Sequence, residues 1–169
     1  MKRLILVLVL GVILVACQEN ESLRSEYTGS ETVYPLLQSS EYNVNGTVTF
    51  KEECNGSALI IVSLSGTEGD IEHPVHLHLG DITAPGADVA ALLNPVPGKS
   101  GISETRLLRL ADESPITYKQ LIDLNACIKV HLAASGPDRD IILAAGNIGV
   151  AASSDLSSGR SGIGICSSN

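Results

Sequence analysis

Three of the chain's four histidines sit where two β-strands would aim them at one point. Two come from His73-Pro-Val-His76-Leu-His78-Leu-Gly80-Asp81, and the third from Cys127-Ile-Lys-Val-His131-Leu. Residues two apart in an extended strand project to the same face, with Cα atoms roughly 6.5–7 Å apart. His76 and His78 therefore share a face, and Val75, Leu77 and Leu79 share the other. The second segment repeats the logic, with Lys129 and His131 on one side and Ile128, Val130 and Leu132 on the other. If the apolar faces make a core, all three imidazoles lie outside it, and two adjacent strands would hold a metal between them. Three imidazoles suit copper or zinc. They also leave a fourth position for water or a substrate, as catalytic metal sites require. His73 has the inward parity and precedes Pro74, so it is the weaker choice for completing the shell. The plainer alternative is that these rings hydrogen-bond loop backbones, each with one donor and one acceptor, and stabilise the end of the domain.

No other reactive constellation stands out. The chain has no Gly-x-Ser-x-Gly elbow, no phosphate-binding loop and no Cys-x-x-Cys pair. Its acidic residues are scattered rather than paired on neighbouring strands. Asp138-Arg139-Asp140 reads as a solvated loop, Gly80-Asp81 as a turn, and the formal glycosylation sequons at Asn45 and Asn55 as turns.

Residues 1–16 read as a lipoprotein signal peptide. Lys2 and Arg3 open it, and Leu4 to Val15 is an apolar run too short to span a bilayer as a mature helix. The segment ends in Leu14-Val15-Ala16-Cys17, which resembles the lipobox of bacterial lipoproteins and makes Cys17 the expected lipidated residue. Losing Lys2 and Arg3 leaves 9 basic against 19 acidic side chains, moving the net charge from −8 to −10. So acidic a surface argues against nucleic acid or anionic lipid as partner. Membrane attachment would come through the N-terminal lipid. The expected location is the bacterial cell envelope. An acidic stretch directly after Cys17 resembles the surface-export signal of some bacterial lipoproteins.

Export implies an oxidising compartment, where disulfides persist. Cys54, Cys127 and Cys166 allow one intramolecular bridge and leave one thiol over. The pairing Cys54–Cys166 is favoured because it would tie down a polar tail. Cys127 shares the outward parity of His131 and is a minor candidate ligand, but a buried or bridged cysteine is the commoner outcome.

Positioning these residues falls to a β-rich domain. Residues 17–42, polar and acidic, read as a flexible tether. Residues 43–149 carry the period-two pattern of strands. Strands are expected at Val44–Phe50, Ala58–Leu64, Pro74–Leu79, Ile102–Leu110, around His131, and at Asp140–Gly149. Residues 81–99 read as a long irregular connection with a short edge strand at Val89–Leu93. Ser114-Pro115 predicts the start of one short helix carrying Tyr118, Leu121 and Ile122 on one face. Residues 150–169 read as a Ser/Gly-rich tail, with Ile163-Gly-Ile165 adding a short edge. Many short strands with turns between them predict an all-β fold, a Greek-key antiparallel β-sandwich or barrel, built from Val, Ile, Leu and Ala because the chain has no Trp and one Phe.

Gly46-Thr-Val-Thr-Phe, Leu64-Ser-Gly66, His73-Pro-Val-His-Leu-His-Leu-Gly-Asp81, Lys129-Val-His131 and Gly146-Asn-Ile-Gly149 together resemble a bacterial CHRD domain over roughly residues 43–149. CHRD domains accompany growth-factor-binding modules in chordin, and the resemblance implies a binding or structural module. A more distant likeness is to the copper/zinc superoxide dismutase barrel, which implies copper and matches His76, His78 and His131 to three of that enzyme's copper ligands. The likeness breaks where the enzyme has a metal-bridging histidine. Here Leu92-Leu93-Asn94-Pro95 stands in that stretch, and residues 81–101 contain no histidine for a zinc site. Arg160 follows Gly149 at irregular spacing and is no secure counterpart of the enzyme's arginine. A dismutase-type zinc site is excluded, and the pattern points away from catalysis. The sequence thus supports a cell-envelope lipoprotein whose domain binds an extracytoplasmic protein or small molecule. The alternative is a copper-binding protein, storing the ion or doing redox chemistry with the three histidines.

Overall fold

The structure is a computed structural model, and it describes residues 25–83 and 87–157. Cys17, Arg160, Ile163–Ile165 and Cys166 lie outside the described residues, and so does the favoured bridge to Cys54. Eight strands form one antiparallel, nearly closed barrel: β1 (Tyr27–Gln38), β2 (Asn45–Glu53), β3 (Ala58–Ser65), β4 (Glu72–Leu79), β5 (Val89–Pro97), β6 (Ile102–Leu107), β7 (Asn125–His131) and β8 (Ile142–Ile148). The order across the sheet is β5-β4-β7-β8-β1-β2-β3-β6. β3 pairs with β6 rather than β4, and β4 pairs with β7, so two Greek-key crossovers are built in.

Two four-stranded halves meet along two seams. One is the short ladder Leu37↔Ala145 and Gln38↔Ala144 between β1 and β8. At the other, between β5 and β6, side chains do the joining. The Asn94 backbone N–H donates to Thr105 Oγ1 at 2.8 Å, and Asn94 Nδ2 donates to the Glu104 carbonyl at 2.6 Å. The interior is aliphatic apart from Phe50, with Leu36, Val48, Ile60, Val75, Leu77, Ile128, Val130, Leu143 and Ile148 fully buried. Gly146 faces this interior where β1 crosses β8. A Cβ there would lie 1.9 Å from the Pro35 carbonyl oxygen, so only glycine lets the two backbones approach.

The elements depart from the sequence expectations at four places. Residues 27–38, assigned to the tether, are β1, so the barrel begins before residue 43. Apolar Val33 and Leu37 face out and polar Thr32 faces in, so no inward-outward alternation marks this strand, which holds Pro35 and buries only Leu36 completely. Within the expected irregular connection, β5 runs from Val89 to Pro97. As an edge strand with a backbone ladder to β4 alone, it tolerates Pro95 and Pro97. The first helix, α1 (Tyr118–Ile122), starts at N-cap Thr117 rather than Ser114, because Thr117 and Gln120 close a capping box. Ser114 instead bonds Asp112 in the preceding turn. Finally, residues 149–157, assigned partly to the tail, form α2 (Gly149–Ser157), with the Ser153 and Ser154 hydroxyls bonding back to the Gly149 and Ala151 carbonyls. Of the two sequons, Asn55 lies in a turn and Asn45 opens β2. No helix among the described residues is long and apolar enough to cross a membrane.

Candidate metal centre

β4 and β7 are hydrogen-bonded neighbours, with Val75↔Val130, His76↔Lys129, Leu77↔Ile128 and His78↔Cys127 in register. Val75, Leu77, Ile128 and Val130 enter the core. The alternate set therefore faces out of the barrel, as the spacing predicts. The His76 and His131 rings lie diagonally across the pair with centroids 4.5 Å apart. His78 completes the triangle at 5.7 Å from His76 and 6.1 Å from His131. One ring nitrogen from each of the three lies within 4.8 Å of the other two. Around a tetrahedral ion with metal–nitrogen bonds of about 2.0–2.1 Å, ligand atoms stand about 3.4 Å apart. Small side-chain rotations close that difference.

Two loops hold the rings. The His78 Nδ1 lies 2.9 Å from the Ala87 carbonyl oxygen, and the His131 Nδ1 lies 2.9 Å from the Arg139 carbonyl oxygen. A carbonyl oxygen only accepts, so each Nδ1 carries the proton and donates it. In the neutral ring the lone pair is then on Nε2. Both Nε2 atoms are buried and have no hydrogen-bond partner among the described residues. Such orphaned acceptors are uncommon, because they lose water and gain nothing in return. A protonated Nδ1 tied to a backbone carbonyl with a bare Nε2 is also how metal-binding histidines are held ready.

The protonation balance agrees. The His76 pKa is held down from 6.5 to about 4, mainly by burial, then by repulsion from His131 and His78. Burial is also the main reason that His131 sits below its ordinary value, partly offset by the Arg139 carbonyl. These two rings are neutral near pH 7, as ligands must be.

The turn that follows β4 is anchored by Asn147 of β8 and Asp81. Asn147 Nδ2 donates to Asp81 Oδ2 at 2.6 Å, and the Ile82 N–H donates to Asn147 Oδ1 at 2.8 Å. Asp81 Oδ1 accepts from the Thr83 N–H and hydroxyl at 2.7 and 2.6 Å. The available signal was a buried Asn in an otherwise apolar strand. The two loop carbonyls leave no mark in a sequence, being backbone.

The remaining candidates lie elsewhere. His73 is buried on the inward side, with Nδ1 3.2 Å from the Leu132 carbonyl oxygen, and it is not among the converging rings. Cys127, opposite His78, is buried and unbridged, and burial raises its pKa, so it is a thiol outside the ligand triangle. Cys54 is exposed and forms no bridge with Cys127. Leu92 stands directly opposite His76 on β5, at 71% exposure, beside the triangle. Comparison of the chain with protein-family models and with curated proteins returns no match.

Proposed function

We propose that this chain is a metal-binding protein that holds one copper or zinc ion through His76, His78 and His131. The observation that carries the reading is the pair of buried, unpartnered Nε2 atoms on His78 and His131, each on a ring whose other nitrogen is tied to a loop carbonyl. A purely structural histidine would use both nitrogens or leave one in water. The donor set is all imidazole, which favours copper(II) and zinc over magnesium or calcium, and copper(II) most of all in the affinity order of divalent ions.

Handling or holding the ion fits this site better than superoxide dismutation. Leu92 occupies the β5 position opposite His76, and residues 81–101 offer no histidine to a second metal. The setting we propose is the bacterial cell envelope, with Cys17 lipidated and the barrel a CHRD-like domain. What supports this is the order of the sequence motifs and the lipobox-like segment.

Counting ions tests the function. The purified chain, dialysed against copper or zinc in separate experiments, should retain one ion, and His78→Ala and His131→Ala should retain none while staying folded. Folded protein that keeps no metal would return the histidines to the scaffold and leave a binding or structural module.

A further inference from the structure

An imidazole binds a metal as the neutral ring, so a divalent ion between these three would keep its full charge at a half-buried site. Among the described residues no carboxylate joins the converging ring nitrogens. That face also carries a positive side chain. Lys129 lies directly opposite His76 in the β4–β7 ladder and two residues before His131 on the same face of β7. Directly opposed residues on a sheet face stand with Cβ atoms about 4.5–5.5 Å apart. Lys129 is half-buried, and among the described residues it makes no ion pair. Asp140, the acidic group felt by His131, is paired with Arg139, and Asp81 is engaged by Asn147 and Thr83. A metal ion beside an unpaired ammonium, with three neutral ligands and a fourth position open, is short of negative charge.

We propose that the metal-loaded site takes a small inorganic anion as fourth ligand, held between the ion and the Lys129 ammonium, and that Lys129 makes the site selective for anions over neutral ligands. This inference rests on the three-histidine reading. The chain's net charge of −8 would repel anions at long range, so the selectivity must be local to Lys129. Screening leaves a short-range attraction between an anion and an ammonium a few ångströms away.

The test uses the copper(II)-loaded chain and azide as probe, followed by the azide-to-copper charge-transfer band. Wild type should bind azide, Lys129→Met should bind it about tenfold more weakly, and Lys129→Arg should recover most of the loss. Added imidazole, a neutral ligand, should bind the wild-type and Lys129→Met proteins equally. Copper stoichiometry is measured on every sample. One copper per chain with azide affinity unchanged in Lys129→Met would overturn the anion site and leave the metal site standing. Equal weakening of azide and imidazole would overturn it too, because the lysine would then shape the site rather than select charge. Failure of the wild type to retain copper would overturn both.

Discussion

Lowering the pH of the metal-free protein should destabilise it through His76, by an amount the structure sets. In the unfolded chain this ring titrates near 6.5; in the folded chain burial and its two histidine neighbours hold it to about 4. Below pH 6.5 the unfolded state therefore binds the proton more readily than the native state. The stability contributed by the neutral ring is complete above pH 6.5 and is lost as pH falls toward 4. At about 1.4 kcal/mol per pH unit the loss between pH 6.5 and 4.5 is at most about 2.7 kcal/mol. The ring is partly open to solvent, which screens the repulsion, so about half of that is expected. Urea midpoints of the wild type and His76→Gln, both in chelator, measured at pH 7 and 4.5, isolate the effect. His131, also held low, is common to both chains, so the wild type should lose about 1–1.5 kcal/mol more than the variant. Equal losses would refute the reasoning, because the His76 ring would then gain its proton as easily in the fold as outside it.

The remaining predictions concern the scaffold. Gly146→Ala, whose Cβ would meet the Pro35 carbonyl oxygen at 1.9 Å, should cost about 3 kcal/mol or more and lower the thermal midpoint sharply. Buried Glu53 accepts from Ser57 and Arg106, and these bonds, with Ser57 foremost, hold its carboxyl below the usual range. Glu53→Gln should therefore cost about 1 kcal/mol near neutral pH. It should also flatten the acid limb of the stability curve below about pH 4.5, where protonation removes the wild type's advantage. A chain beginning at residue 43 lacks β1 and should fail to give a cooperative unfolding transition, whereas the chain with β1 should melt cooperatively.

Much of this was legible because apolar alternation dictates it. The strands around Val48, Ile60, Leu77 and Ile128 each place an apolar face inward, and register then follows from burial. The same parity puts His76, His78 and His131 on one outward face. β1 carries no such signal, because Val33 and Leu37 face out while Thr32 faces in, and its place is fixed by ladders to β2 and β8 rather than by local pattern. In β5 the prolines signal a break after Leu93, yet an edge strand needs only one set of hydrogen bonds. The helix start shifted because Thr117 and Gln120 satisfy each other's neighbouring backbone groups, a pairing that outcompetes the Ser114-Pro115 signal. The loop carbonyls that select the imidazole tautomers were invisible, since any residue at 87 or 139 carries one.

The tautomers are the point at which the metal reading stands or falls. The direct measurement is the imidazole nitrogen NMR spectrum of the ¹⁵N-labelled chain, free and with one equivalent of zinc. The account predicts that His78 and His131 keep the proton on Nδ1 in both states, while their Nε2 signals move from the bare-nitrogen to the metal-bound range on adding zinc. Nε2 signals that stay put, or that carry the proton before zinc is added, would contradict it.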